Sequence, residues 1–403
     1  MHLLLIHQNF PGQFRELAPA WMARGHRVTA IGAAERPPDG PGWEPLHYLR
    51  YSFEDEAHPS AEQRGHAVAQ VCRWLEANAM GPDVVLAHSG WGETLELRTV
   101  WPDLPLVVFP ELWGNPRALG FGFDAALEGQ SIDPDLFEAA NHCAAHAIQS
   151  SNLALVASEA QRDSFPEPLR ETIQVLAEGV NLQRIPDALP PLPAGCGLPN
   201  EDTAALVTVV SRTLEPLRGL GQVLRSWPIV SAAQPQARLL LIGGDGEGYG
   251  LSPPHGPSHL SDALDALPAE VDRTRIHRLT WLDHDDLLAV LQHSQCHLAL
   301  SYPYTLSWSV LEALACGVPL VSNHGSPIAA DLTHRMNGLL VPFNATAELA
   351  QAVLALLEQP ALRNQLGAAA KATVADRFSL ERSLERFEQL FAQLTTNGPS
   401  GCC

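Results

Sequence analysis

Positive charge is scarce in this chain. Lys and Arg number 25 against 45 Asp and Glu, a formal net charge of −20. Phosphate backbones are held by basic fields, so nucleic acid is excluded as the main partner. No apolar run approaches the ~18 residues of a membrane-crossing helix. The amino end, "MHLLLIHQNF", has no Lys or Arg ahead of a short apolar run, and is expected to be a buried first strand rather than a secretory leader. The seven cysteines contain no C-x-x-C pair, so neither a zinc knuckle nor a thiol-redox motif is readable. The end "GPSGCC" does not fit C-a-a-X, and Cys402 and Cys403 are read as part of a loose tail. The glycine-rich "LIGGDGEGYG" lacks G-x-G-x-x-G spacing and runs into "LSPPHGPS" instead of a helix, which counts against a nicotinamide enzyme.

What is present is core. Of 403 residues, 46% are hydrophobic and 17% charged, the composition of a globular chain long enough for two domains. Cys72, Cys143, Cys296 and Cys316 lie in apolar runs and are expected to be small buried hydrophobes in a reducing compartment, here the cytoplasm. In "FRELAPAWMARGHRV", Arg15, Arg24 and Arg27 flank Trp21 and Met22. That pattern allows a weak peripheral contact with the inner membrane face, or a helix packed on its own sheet.

Short apolar runs alternate with helical patterns. "HLLLIH", "HRVTAIG", "PDVVLAH" and "LPLVVFPE" read as strands, with "GQFRELAPAWMARG" and "AEQRGHAVAQVCRWLEANA" as helices between them. This is the signature of βαβ units around parallel sheets covered on both faces. "IPDALPPLPAGCGLPNED" breaks the pattern, which restarts with "ALVTVVS", "ARLLLIGG", "IHRLTWL", "CHLALS" and "PLVSN". The expected organisation is an amino-terminal domain over 1–184, a linker over 185–202, and a carboxyl-terminal domain over 203–377. A last amphipathic helix over 378–396 crosses back to the first domain, and 397–403 form the tail. The fold class is α/β, with two doubly wound Rossmann-like domains facing a cleft.

In open parallel sheets ligands sit at the carboxyl ends of strands. Several chemistry-bearing stretches follow strands here. "HQNFPGQF" offers Gly12 at a strand-to-helix turn, where it allows close backbone approach. "SRTLEPLRG" offers Arg212 and Arg218 around a turn that opens a helix, suited to a diphosphate. Gly243 and Gly244 line a cleft or give a flexible loop. In "SYPYTLSWSVLEALACG", Thr305, Leu306, Ser307, Trp308 and Ser309 lead into a helix whose free N–H groups can hold an anion. Glu312, alone in that apolar helix, could accept hydrogen bonds from a ribose diol or could simply be a solvated side chain.

Taken in order, "SRTLEPLRG", "LLLIGGDG", "SYPYTLSWSVLEALACGVPLVSN" and "NGLLVP" resemble the retaining, GT-B-fold glycosyltransferases of family 4. "HQNFPGQFRELAPAWMARGHRV" resembles the amino end of one bacterial subgroup of that family, and "VLAEGVN" the segment near the domain junction. The resemblance covers nearly the whole chain. It implies a nucleotide-diphospho sugar of UDP or GDP type in the carboxyl domain and an acceptor in the amino domain. The acceptor would be a saccharide, a lipid-linked group or a small molecule, as in polysaccharide or glycoconjugate synthesis. It implies transfer with retention, no cofactor and no required metal.

By position, Glu312 matches the second glutamate of the family's Glu-seven-residues-Glu motif and would bind ribose. Tyr304 stands where the first glutamate, a donor-sugar contact, would be. Arg212 matches the phosphate-binding arginine, and Arg218 stands one residue beyond a common lysine. His88 in "LAHSGWGE" and Glu111 in "VVFPELWG" are the two candidates for a group near the sugar. A nucleotide-sugar epimerase on the same fold, or a non-catalytic sugar- or nucleotide-binding protein, are the competing readings.

Overall fold

The computed structural model describes residues 1–53, 59–198, 205–246 and 248–396. It divides into two compact units. The first holds Met1–Asn115, Asp133–Gly179 and the chain from Leu380 onward; the second holds Pro116–Ile132 and Val180–Ser379.

The first unit is built on seven parallel strands. They are β1 (His2–Ile6), β2 (Arg27–Gly32), β3 (His47–Arg50), β4 (Val84–His88), β5 (Leu106–Phe109), β6 (Leu153–Val156) and β7 (Ile173–Val175). The order is β3-β2-β1-β4-β5-β6-β7. Successive residues of β1 enter opposite cores: Leu3 and Leu5 pack with Trp21, Phe387 and Phe391 on one face, and Leu4 and Ile6 with Val68, Cys72 and Leu75 on the other. Burial on both faces is why the strand reads as a continuous apolar run.

Helix Leu380–Thr396 belongs to this unit. Its Phe387 meets the Trp21 ring edge-on at 5.4 Å, and Arg24 is ion-paired to Glu381 and Glu388, each at 2.6 Å. Trp21 is fully buried, so it has no surface to offer a membrane. Among the described residues no helix is long and apolar enough to cross one.

The second unit has six parallel strands: β8 (Leu206–Thr213), β9 (Arg238–Gly244), β10 (Ile276–Leu279), β11 (Cys296–Ala299), β12 (Leu320–Asn323) and β13 (Leu339–Val341). Their order is β10-β9-β8-β11-β12-β13. The core joins Val207, Leu239 and Leu298 of the sheet to Leu224, Trp227 and Val353 of covering helices.

Two boundaries differ from the sequence reading. Residues 116–132 lie with the second unit, because Asp124 accepts the Tyr302 hydroxyl at 2.7 Å and Asn344 bonds both Phe123 and Ala125. The stretch 185–198 is not a free linker. Its Leu192, Cys196 and Leu198 are buried against Leu206, Leu240 and Ile242. Spaced apolar residues hold it down despite the prolines. Its last expected residues, 199–202, fall outside the described residues, as does the tail 397–403. The expected buried cysteines, with Cys196, are all buried and unpaired.

Each sheet changes direction of winding once, between β1 and β4 in the first unit and between β8 and β11 in the second. These are the positions where a doubly wound sheet opens a crevice at its carboxyl edge.

Candidate active site

The β8–β11 crevice gathers the second unit's polar residues. An irregularity near the end of β8 contains Arg212, and the turn that follows carries Glu215 and Arg218. Gly219 closes that turn with φ +73°, and a Cβ there would lie 2.4 Å from the Cβ of Leu300. Only glycine lets the turn sit this close to the chain leaving β11. Arg218 then reaches across. Its Nη1 donates to the Thr305 carbonyl at 2.8 Å, and its Nη2 to the Thr305 hydroxyl at 3.1 Å. Asn323, at the end of β12, clamps Ser301 from the other side, accepting its N–H at 2.8 Å and donating to its carbonyl at 3.0 Å. A small pocket opens here, lined among others by Arg218, Ser301, Thr305 and Ser307.

Helix Trp308–Cys316 starts at this pocket. Its N-cap, Ser307, makes no side-chain capping bond; the Ser307 hydroxyl pairs with that of Ser309 at 2.9 Å instead. Backbone N–H groups of the first turn therefore lack the usual side-chain cap, as suits an anion site. Gly317, at φ +77°, ends the helix in the left-handed C-cap.

Two tyrosines complete the arginine pair. Arg212 lies over the Tyr249 ring at 5.1 Å and donates to its hydroxyl. Arg218 lies over the Tyr304 ring at 5.4 Å, and the two rings are 6.2 Å apart. The result is a row of cation, ring, ring, cation, each contact favourable to the next. Tyr249 is fixed by Glu215, whose buried carboxylate accepts the N–H of Tyr249 at 3.3 Å and of Gly250 at 2.8 Å. A Cβ on Gly248 would lie 2.3 Å from that carboxylate. The glycines of "GGDGEGYG" thus let a loop fold over Glu215. Gly243 answers a packing need as well, since a Cβ there would lie 2.4 Å from the Ser211 carbonyl oxygen. Gly244 receives the Leu214 N–H on its carbonyl at 2.7 Å.

Glu312 is not a solvated side chain. It is 5% exposed, and its Oε1 lies 2.6 Å from Nε2 of His284, at the start of helix His284–His293. An ionised carboxylate is held in an apolar helix only with such a partner.

In the first unit the switch point carries two histidines. His7 follows β1 and His88 ends β4, with rings 4.8 Å apart. Each accepts a backbone N–H on Nδ1, from Asn9 at 3.0 Å and Gly90 at 3.2 Å, which leaves Nε2 as the protonated nitrogen. His88 directs Nε2 toward Glu111 at 3.4 Å. Glu111 reaches it from a left-handed backbone, φ +56°, fixed by Gln161 donating to its carbonyl at 3.0 Å. Burial works against charge on His88, but the Glu111 carboxylate and Glu93 outweigh it, and the pKa is raised. His7 goes the other way: burial and the neighbouring His88 push it down to about 3. Trp91 packs on the His88 ring at 4.3 Å. Gly12 serves this cluster, because a Cβ there would lie 2.4 Å from His7 Nε2.

The structure therefore brings together Arg212, Arg218, Tyr304 and Thr305 to Ser309 in the second unit, and His88 with Glu111 in the first. Sequence reasoning missed His284, and it gave no role to His7, Glu215 or Tyr249, although all three lie in the strand-following stretches 7–12, 211–219 and 243–250. The signal for His7 was present, since it leaves a central strand as His88 does. "IHRLTWL" was expected to be one strand, but β10 stops at Leu279 and leaves Trp281 in solvent. Among the described residues no group of three His, Cys, Asp or Glu is placed to hold a metal.

Comparison with known proteins bears on the family and the fold. Residues 24–185 match the family described as "Glycosyl transferase family 4 group" and residues 204–359 that described as "Glycosyl transferases group 1". The chain is 28% identical over 236 residues to the D-inositol 3-phosphate glycosyltransferase of Rhodococcus jostii, 57% of this chain and 50% of that one. It is 25% identical over 228 residues to a GDP-mannose-dependent monoacylated alpha-(1-6)-phosphatidylinositol monomannoside mannosyltransferase of Corynebacterium glutamicum, 54% of this chain and 56% of that one. The chain spans about half the length of these curated relatives. Among solved structures, sucrose-phosphate synthase from Thermosynechococcus elongatus superposes with TM-score 0.74 at 18% identity, covering 98% of this chain and 99% of the other. Anabaena HepE in complex with UDP and glucose gives 0.68 at 17%, covering 98% and 100%. The protein thus carries a glycosyl transferase family 4 region followed by a glycosyl transferases group 1 region, on a GT-B fold of two parallel-sheet Rossmann-like units.

Proposed function

We propose that this protein is a retaining glycosyltransferase. It moves a sugar from a UDP- or GDP-type nucleotide-diphospho sugar to the hydroxyl of a saccharide, lipid-linked or small-molecule acceptor. The observation that carries this reading is Arg218 bonded to Thr305 across the β8–β11 crevice, with Arg212 beside it and an open helix start at Ser307. Two guanidinium groups and helix N–H groups are what a departing diphosphate needs. They supply positive charge without a metal or cofactor. Glu312 accepts the ribose hydroxyls. Tyr304, in place of a glutamate, presents a neutral ring and a hydroxyl to the donor.

In the first unit, Glu111 is the group suited to accept the acceptor's proton, with the His88 Nε2–H directed toward its carboxylate. Attack from the face of the departing phosphate, whose oxygen helps to deprotonate the acceptor, requires no protein nucleophile and retains configuration. UDP with glucose in HepE and the GDP-mannose of the Corynebacterium relative's name support the donor class. Buried, unpaired cysteines suit a cytoplasmic setting.

The test is calorimetric titration with UDP, GDP and ADP, with and without magnesium, on wild type and Glu312→Ala. Selective, metal-independent binding lost in the variant is expected. Absence of binding by all three would overturn the donor reading and leave a non-catalytic sugar-binding protein, and turnover of a sugar nucleotide without an acceptor would favour an epimerase.

A further inference from the structure

Tyr302 sits in the loop that joins β11 to helix Trp308–Cys316, and this loop forms one side of the proposed diphosphate site. Its neighbours are pinned by their backbone: Ser301 by Asn323 and Thr305 by Arg218. Tyr302 itself donates its N–H to the Leu217 carbonyl at 3.0 Å, in the turn that carries Arg218. The backbone of Tyr302 thus ties the two sides of the site together. Its side chain, 2% exposed, is covered by residues 116–132, which join the second unit from between two stretches of the first.

Residues 116–132 hold only short turns of 3-10 helix, yet they dock on Tyr302 through several contacts. Asp124, 6% exposed, accepts the Tyr302 hydroxyl at 2.7 Å on one oxygen and the Ala126 N–H at 2.9 Å on the other. Burial and the Asp124 carboxylate push the Tyr302 phenol above its ordinary range, so the hydroxyl stays a donor at neutral pH. Phe123 meets the Tyr302 ring edge-on at 5.9 Å and the Phe343 ring at 5.1 Å. Gly120 lets the segment close on Tyr302, since a Cβ there would lie 2.5 Å from the ring. Asn344 accepts the Ala125 N–H at 3.0 Å and donates to the Phe123 carbonyl at 2.8 Å. A carboxylate and a phenol are each costly to bury without a partner. Here each is the other's partner, so releasing the segment would strand both.

We infer that residues 116–132 are a strap that preorganises the diphosphate site: docked on Tyr302 through Asp124, they hold the chain after β11 at the distance from the Arg218 turn that a diphosphate requires. Asp124 and Tyr302 are positioning residues, acting through Leu217 and Thr305. The inference rests on the donor-binding reading above. Fixed donors stabilise an anion best because nothing has to be rearranged as charge develops. By linkage, a ligand that favours the docked spacing strengthens the docking by the same factor as the docking strengthens the ligand. Only the diphosphate meets this spacing, so freeing the strap should weaken a nucleotide and bare pyrophosphate equally.

The experiment is titration of the full chain with UDP, GDP and inorganic pyrophosphate, for wild type, Asp124→Ala, Asp124→Asn and Asn344→Ala, with Tm measured on each. Asp124→Ala is expected to weaken every ligand that wild type binds by one common factor, about fivefold or more. Asp124→Asn should recover part of the loss, because its amide oxygen still accepts the phenol. Asn344→Ala, which frees the strap at an exposed position, should show the same pattern with a smaller loss. A lowered Tm with wild-type affinities in Asp124→Ala and Asn344→Ala would make the strap merely structural, overturning the inference and leaving the donor reading standing. Failure of wild type to bind any of the three ligands overturns both. Hydrogen exchange on wild type tests the same linkage without a variant. Saturating UDP should slow exchange of the Ala126 N–H, which bonds Asp124, about fivefold or more. Exchange at Ala126 left unchanged by bound UDP would overturn the inference.

Discussion

Arg218 donates to the carbonyl and hydroxyl oxygens of Thr305, at 2.8 and 3.1 Å, and so links the turn after β8 to the chain after β11. Both segments flank the second unit's switch point. The bond therefore holds the floor of the proposed diphosphate site at a defined width. Arg218→Ala should lower turnover by about 10²–10³, the usual loss for one donor to a developing anion. Arg218→Lys should recover only part, because an ammonium cannot reproduce the forked contact. Steady-state rates with a fixed donor, alongside Tm, separate this from unfolding. Turnover within twofold of wild type in Arg218→Ala would remove the diphosphate assignment.

Glu215 is the anchor of the Tyr249 loop. Glu215→Ala would leave the Tyr249 and Gly250 N–H groups without their acceptor, at a cost of about 1–3 kcal/mol. Urea unfolding should show that loss. Glu215→Gln should cost less, since its carbonyl oxygen still accepts. Equal stability of all three proteins would mean that the loop does not depend on Glu215.

Gly12 carries both a positive φ of +47° and the His7 imidazole against its backbone. Gly12→Ala should destabilise the protein by about 2–4 kcal/mol, combining overpacking with left-handed strain. It should also displace His7, visible as a changed imidazole resonance. Wild-type stability and spectra would contradict the close packing.

The two strand-end histidines should titrate in opposite directions. His88 is raised above its ordinary 6.5, so the stabilisation from its ion pair with Glu111 is complete below that value and fades as pH rises through the raised pKa. Glu111→Gln should bring the His88 titration below wild type, as followed by NMR. An unmoved titration would mean that Glu111 does not set the charge of His88.

His297 is buried in β11, where burial pushes its pKa down to about 4. The unfolded chain takes up a proton near 6.5 that the folded chain refuses until about pH 4. Stability from this site is therefore full above 6.5 and falls with acidification, by up to about 1.4 kcal/mol per pH unit. His297→Gln should flatten the decline of ΔG between pH 6.5 and 4.5 even if it lowers stability at pH 7. An identical slope would show that His297 is not the group responsible.

By the family resemblance, Tyr304 stands where a glutamate would be. Its ring lies under the Arg218 guanidinium. Tyr304→Phe is expected to bind nucleotide within about twofold of wild type, and Tyr304→Ala to lose about 0.5–2 kcal/mol, the usual worth of a cation–ring contact. Calorimetry distinguishes them. Equal losses in both would assign the role to the hydroxyl.

Local chemistry determined much of this protein before any packing was known. Unbroken apolar runs such as Leu3–Ile6 specify strands buried on both faces, because alternation is needed only where one face meets water. Gly219 and Gly317 mark turns that require a left-handed backbone. Arg212, Arg218 and Glu312 stand out because charge following a strand, or inside an apolar helix, has few structural uses. What the sequence could not determine is partnership across long separations. Arg218 meets Thr305, and His7 meets His88, only because β8 lies beside β11 and β1 beside β4 in sheets whose order is not the chain order, and Glu312 meets His284 because their two helices pack together. The Pro-rich 185–198 segment and the 116–132 excursion likewise owe their places to a few buried side chains and to bonds with residues far along the chain. Strand order, set by the whole sheet's burial, decided which charged groups became neighbours.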